Sequence, residues 1–373
     1  MEKIGVAAVG NVLDINCWSN IPYYFYTTGE RAGLFHNPFN LDLQKLNLPR
    51  KIWNLTRVLT GQGIGGYQYS NAFLIQAESQ IPYAYFQEKV ISFNQTFPRA
   101  STVKHAGGEM YYYIDITLQD LFQDPSFHFN LSFEVMAAAI EQEKENYRLA
   151  KKVVTMGSWV RKSLIENYEV PEEKIETIMP GPNMALPPNF PQPIWRPGAG
   201  KQRDFVMGFV GKDWKRKGLP LLISIKNGLR GRGYKVKIMV IGNAPEGIEE
   251  DPDIEFAGFI NKQTQMLRFI SKLRECDMGC LFSTAEPLGI STLEFIKAGI
   301  PVAGFFHQGL LDTLLPGVSL RFDPEEKALS IVDRMVDYLE NDSEQKRQYL
   351  ALANYREEIS WETCIESWSR ILQ

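Results

Sequence analysis

The chain reads as an α/β protein built from two doubly wound, parallel-sheet units. Three observations predict this. From residue 204 onward, short apolar strands alternate with amphipathic helices. Ahead of residue 185 the same alternation recurs less regularly. Between the two lies "ALPPNFPQPIWRPGAGKQR" (185–203), dense in proline and carrying two glycines, which cannot form a regular element and reads as a linker. A length of 373 residues is more than one core usually serves, which agrees with two units.

The elements follow in order. "KIGVAAVG" (3–10) is a short buried strand, and "PYYFYTTGERAG" (22–33) is a helix with a glycine stop. "NAFLIQAESQIPYAYF" mixes helix and strand signals. "EMYYYIDIT" (109–117) is rich in strand formers and ends on polar residues. A charged helical period covers 129–152, "VVTMGS" (153–158) is a strand, "WVRKSLIENYEV" is helical, and "KIETIMPGPNM" is a strand and turn. Beyond the linker, strands are expected over 204–211, 234–242, 254–260, 278–283 and 300–306. Helices fill the intervals, among them "GLPLLISIKNGLRGRG", "KQTQMLRFISKLREC" and "ISTLEFIKAG" (290–299).

Composition narrows the function. Hydrophobic residues make up 44% and aromatics 12%, enough for packed cores. Split at residue 197, the first part holds 17 basic and 19 acidic residues and the remainder 23 and 25, so neither half is a nucleic-acid platform. The N-terminus lacks a signal-peptide layout, and no apolar run reaches the roughly eighteen residues a spanning helix needs. These features point to a cytoplasmic protein, with peripheral contact at the inner face of a membrane left open. Four cysteines in such a long chain read as buried thiols, and the Asn-x-Ser/Thr triplets at Asn54, Asn94, Asn130 and Asn341 read as idle.

Two stretches carry the chemistry. In "FVGKDWKRKG" (209–218) a strand ends at Gly211, and Lys212, Lys215, Arg216 and Lys217 cluster beyond its carboxyl end, as a diphosphate would require. In "LFSTAEPLGIS" a strand passes through a loop into a helix. The N-terminus of that helix, at Leu288, Gly289, Ile290, Ser291 and Thr292, offers free N–H groups and roughly half a positive charge. Glu286 and Glu294 flank it, with seven residues between them. A carboxylate there suits sugar hydroxyls, not phosphates. Other candidates are weaker. "DPD" (251–253) reads as an acidic turn, "GQGIGGY" (61–67) as a loop, and the four histidines show no metal spacing, so no metal is expected.

In this order and spacing, "FVGKDWKRKG", "KIMVIG", "IEFAGFI" and "CLFSTAEPLGISTLEFIKAGIPV" resemble the C-terminal domain of retaining family 4 glycosyltransferases, over roughly 204–325. The wording "DWKRKG" is closest to a bacterial-type subgroup. The family's Glu-x7-Glu element matches Glu286 and Glu294, and its Gly-Arg…Lys-Gly element matches Gly211, Lys212, Lys217 and Gly218, with lysine in place of the usual arginine. The N-terminal half resembles the family more loosely. "CWSNIPYYF" (17–25) stands where the family has a glycine-rich loop but lacks the glycine pair, and the family's N-domain histidine has no certain counterpart. Asp115 is the candidate catalytic residue there, with His105 behind it.

The resemblance implies a GT-B fold of two facing Rossmann-like domains: 1–197 on the acceptor side, 198–355 binding the donor, and a helix in 356–373 crossing back. It further implies metal-independent transfer of a sugar from a nucleotide-diphosphate donor, a UDP- or GDP-sugar, to an acceptor hydroxyl with retention. No separate cofactor is expected. Glu294 would hold the donor ribose, Glu286 would contact the donor sugar, and Lys212, Lys217 and Gly211 would serve the phosphates. The acceptor, whether glycan, lipid, protein or small metabolite, is not legible. A nucleotide-sugar epimerase of the same fold and a non-catalytic nucleotide-sugar-binding protein are the competing readings.

Overall fold

In the computed structural model residues 3–187 and 189–373 are described. The chain divides into two compact units, Met1–Pro180 with Trp361–Gln373, and Gly181–Ser360.

The first unit holds six strands: β1 (Ile4–Ala7), β2 (Asn37–Pro38), β3 (Lys89–Ser92), β4 (Glu109–Ile114), β5 (Lys152–Thr155) and β6 (Ile175–Thr177). They pair in the order β2-β1-β3-β4-β5-β6, all parallel. A parallel sheet is covered on both faces, which is why its strands are nearly continuous apolar runs. On one face Val90, Tyr112, Ile114 and Val153 join the main core. On the other, Phe25 of the helix Ile21–Arg31 and Trp368 of the C-terminal helix Trp361–Ile371 close on Tyr113, with ring centroids 5.5 and 5.2 Å away. Phe25, Tyr113 and Trp368 are all fully buried, so the last helix completes this unit's core.

The second unit holds β7 (Phe205–Gly211), β8 (Val236–Gly242), β9 (Ile254–Gly258), β10 (Met278–Leu281), β11 (Val302–Phe305) and β12 (Ser319–Phe322). Their order is β12-β11-β10-β7-β8-β9, again all parallel. Strand order reverses between β7 and β10. In open α/β sheets that switch point, at the carboxyl ends of the strands, is where ligands bind. Met207, Phe209, Ile238, Val240, Met278, Cys280 and Phe305 form the core beneath it.

The proline-rich stretch behaves differently from a free linker. From Phe190 on it packs on the second unit. Arg356 donates to the Pro191 carbonyl (3.1 Å), and Arg274 and Arg356 lie over the Phe190 ring at 4.9 and 5.4 Å. Trp195 donates to Gln345 (3.4 Å), and Arg196 and Arg203 pair with buried Asp277 at 3.4 and 2.8 Å. The division therefore falls at Pro180–Gly181, ahead of the expected 197, and the crossing back at Ser360–Trp361.

Candidate active site

Two loops meet at the β7–β10 switch point. The first leaves β7 at Gly211, runs through Lys212–Lys217 and enters the helix Leu219–Gly231 at Gly218. Gly218 has φ +82°, and a Cβ there would lie 2.1 Å from the Phe282 carbonyl oxygen. Only glycine lets this turn pass so close to the end of β10. The second loop leaves β10, passes Glu286 and enters the helix Ile290–Ala298 through Gly289, also at φ +82°. Thr284 N donates to the Arg216 carbonyl (2.8 Å), which ties the loops together.

Glu286 is the centre of the junction and is 6% exposed. Its Oε2 accepts from Lys217 Nζ at 2.8 Å and Ser283 Oγ at 3.1 Å, and Arg216 lies 3.7 Å away. Its Oε1 accepts the Gly289 N–H at 3.1 Å. Its own N–H donates to Gln308 (2.7 Å), its carbonyl accepts from Gly309 (3.0 Å), and His307 Nε2 donates to the Ser283 carbonyl (2.9 Å). Arg216 also donates to the Ala285 carbonyl and pairs with Asp213. Burial pushes the Glu286 pKa up, but the charges of Lys217 and Arg216 and the hydrogen bonds from Lys217 and Ser283 outweigh it, so the group titrates below its ordinary value.

The helix Ile290–Ala298 has no side-chain cap, and its first-turn N–H groups precede the i→i−4 ladder, with Thr292 N donating to the Gly289 carbonyl (2.9 Å). Leu288, Ser291 and Thr292 are buried and Ile290 is half-buried. Thr292 Oγ1 donates to the Gly289 carbonyl (2.7 Å), and Thr313 Oγ1 to Leu288 (3.0 Å), which fixes the turn. The arrangement is a buried carboxylate holding two cations beside a helix N-terminus. It can present positive charge and N–H donors to a diphosphate.

Glu294, one turn into the helix, is 1% exposed and is paired with Lys262. Lys262 also lies over the Phe269 ring at 4.3 Å. Burial raises the Glu294 pKa, and the Lys262 charge and hydrogen bond offset this only in part.

The sequence candidates thus separate. Gly211, Lys217, Glu286, Leu288, Gly289, Ile290, Ser291, Thr292 and Glu294 share one end of the second sheet. Lys212 is exposed and sits 5.2 Å from the Phe259 ring, so the second cation at Glu286 is Arg216. Sequence reasoning took Arg216 only as one of a basic cluster, and it missed Lys262, Ser283 and Gln308, whose partners lie 22 or more residues away or inside the loop itself. Asp115 follows β4 in the first unit and is half-buried. His105, also in the first unit, places Nδ1 2.7 Å from the Ser101 carbonyl. The acids of "DPD" are taken up in ion pairs, Asp251 with Lys226 and Asp253 with Arg230. Among the described residues no group of three or more His, Cys, Asp or Glu is placed to hold a metal, and the four cysteines are buried and unpaired with one another.

Known proteins bear on this geometry. Residues 192–356 match the family described as glycosyl transferases group 1. A probable transglycosylase of Burkholderia thailandensis is 27% identical over 193 residues, 51% of this chain. The match spans half the length of that relative. Sucrose-phosphate synthase from Thermosynechococcus elongatus superposes with a TM-score of 0.66 at 12% identity, covering 100% of this chain and 98% of the other. An Anabaena protein solved with UDP and glucose gives 0.63 at 14% identity, covering 100% and 99%. At such identities the likeness speaks to the fold. The chain therefore has the GT-B architecture of two Rossmann-like domains, and its residues 192–356 are similar to the glycosyl transferases group 1 family.

Proposed function

We propose that the protein transfers a sugar from a nucleoside diphosphate donor to an acceptor hydroxyl, with retention and without a metal. The observation that carries this reading is the Lys217–Arg216–Glu286 junction at the switch point of a unit similar to the glycosyl transferases group 1 family. As the bond from the sugar's anomeric carbon to the β-phosphate oxygen breaks, the electron pair stays on that oxygen. Lys217, Arg216 and the first-turn N–H groups of the helix Ile290–Ala298 would stabilise this charge. The acceptor oxygen bonds to the anomeric carbon, and its proton passes to the departing phosphate. Positive charge already built into the site is the reason the proposal requires no metal. Glu286 fixes both cations and the Gly289 turn, and a donor sugar would approach it at the same place. Glu294 would take the ribose on exchanging its bond to Lys262.

A UDP- or GDP-sugar is the proposed donor, and the UDP and glucose held by the Anabaena relative support a nucleotide sugar in this fold. The test is product analysis with nucleotide sugars and a panel of glycan, lipid and small-molecule acceptors. Transfer that survives chelation with EDTA and gives a product of the donor's anomeric configuration meets the proposal. Conversion of donor without any acceptor would instead mark an epimerase, and donor binding without turnover a sensor. Asp115→Asn tests the first unit's candidate on the acceptor side.

A further inference from the structure

One helix of the first unit is turned inside out. Asn47–Leu59 carries Leu48, Ile52, Leu55 and Leu59 at intervals of four, three and four, a single stripe on a 3.6-residue period. Such a stripe normally faces the core. Here these residues are 67%, 56%, 60% and 78% exposed, and Val58 beside them is 56% exposed. The inward face is polar. Arg57, 7% exposed, donates to the Gly63 carbonyl (2.8 Å), Gln62 Oε1 (3.0 Å) and Ser132 Oγ (2.9 Å). Trp53 donates to the Gly65 carbonyl (3.1 Å), and Asn54 accepts the Gly65 N–H (3.1 Å). Rolling the helix to bury its leucines would strip these partners from a buried guanidinium, a cost that holds the apolar face outward. Ile64, and Phe133 next to Ser132, are exposed as well.

The charge pattern says what covers this face. Residues 43–77 contain Lys45, Arg50, Lys51 and Arg57 and no acid, in a chain of net charge −4. Lys45, Arg50 and Lys51 are exposed and make no ion pair among the described residues. Glu134 is held below its ordinary value chiefly by hydrogen bonds from its own backbone and Ser132, with a smaller contribution from Arg57 on the inward side. Leucines and isoleucine outward with lysine and arginine at their margin is the layout of a helix lying in a lipid–water interface. A second copy would set two basic segments against each other across a stripe one helix wide, well below the area of a stable interface.

We propose that the outward face of Asn47–Leu59 docks on an anionic bilayer surface, the apolar stripe entering the headgroup boundary and Lys45, Arg50 and Lys51 meeting the lipid phosphates. Among the described residues no helix is long and apolar enough to cross a membrane. The proposal does not depend on the sugar-transfer reading, because its test reads binding alone.

The experiment is co-sedimentation of the full chain with vesicles of phosphatidylcholine, and of phosphatidylcholine mixed with phosphatidylglycerol, at low and high salt. Binding is expected to the mixed vesicles and to weaken with salt. Ile52→Gln/Leu55→Gln should lower partitioning by about tenfold per side chain, about a hundredfold together. Lys45→Gln/Arg50→Gln/Lys51→Gln should cost about fivefold per charge on mixed vesicles and little on neutral ones. Both variants alter exposed side chains and should melt as the wild type does. Absence of vesicle binding, or binding undiminished in Ile52→Gln/Leu55→Gln, would overturn the proposal. So would a dimer in sedimentation velocity that this variant dissociates, which would assign the face to a second copy.

Discussion

Replacing Lys217 with methionine keeps the aliphatic stem and removes one charge from the junction. In the wild type the Lys217 ammonium sits 2.8 Å from a carboxylate that is 6% exposed. Removing one member of a buried pair costs about 3–5 kcal/mol when nothing replaces it. Arg216 at 3.7 Å and the Ser283 and Gly289 bonds remain, so a stability loss of about 1–3 kcal/mol is expected. Turnover should suffer more. A missing donor at a developing oxyanion costs about 2.7–4 kcal/mol, or 10²–10³ in kcat. The assay pairs melting with steady-state transfer for wild type, Lys217→Met, Glu286→Gln and the double variant. Neutralising Glu286 in the double variant removes the orphan charge and should restore most of the stability without restoring turnover. The pH dependence has a definite sign. The Glu286 pKa lies below 4.5 in the folded state, so the stability it contributes is present above 4.5 and is lost as pH falls through the folded value. The stability gap between wild type and Lys217→Met should therefore close in acid. Near-wild-type turnover in Lys217→Met would refute the reasoning. Recovery of turnover in the double variant would show that Lys217 merely neutralises Glu286.

Three further outcomes follow from the packing. Gly218→Ala should cost about 1–3 kcal/mol on melting, because its Cβ meets the Phe282 carbonyl at 2.1 Å and φ is +82°, whereas Gly231→Ala, with nothing within 4 Å, should be neutral or stabilising. Lys262→Met leaves Glu294 buried without its cation. The raised folded pKa rises further, so the variant should lose stability against wild type as pH climbs above 4.5, and Glu294→Gln should rescue it in a pH series of urea melts. Glu143, buried under Tyr147, Tyr168 and the Leu118 N–H, is pushed up by burial to about 8. The folded state holds its proton between 4.5 and 8 while the unfolded state releases it, so wild-type stability should fall across that window relative to Glu143→Gln, by a few kcal/mol at most.

The second unit was largely legible from its residues. β7, β8, β10 and β11 are apolar runs long enough to stand out, and the loops after β7 and β10 carry the glycines and charges that mark the switch point. β2, β3 and β12 were missed, since β2 is two residues long and the four residues of β3 and of β12 include Lys89 and Ser92, or Ser319 and Arg321, which leaves no apolar run to mark them. Local charge patterns identified Glu286 and Lys217 as candidates, but not that Lys217, Arg216 and Ser283 converge on one carboxylate oxygen, because Lys217 and Glu286 lie 69 residues apart and meet only through the side-by-side pairing of β7 and β10. Glu294 reads as a helix acid in sequence, and only the packing of the helix Lys262–Arg274 reveals Lys262 as its partner. The helix Asn47–Leu59 escaped notice, and its period alone would have turned its leucines inward. What turns them out is Arg57, through bonds to a glycine-rich loop and to Ser132, 75 residues on.

The most direct test of the central claim is the melting temperature of the protein with UDP-, GDP-, ADP- and dTDP-sugars in turn, repeated on Lys217→Met. A ligand that binds the folded state raises melting by about 2.7 kcal/mol of stabilisation at a hundred times its Kd. The account predicts a clear rise with one donor class in the wild type, present with EDTA, and a much smaller one in Lys217→Met. No rise with any of the four, or an equal rise in the variant, would contradict it.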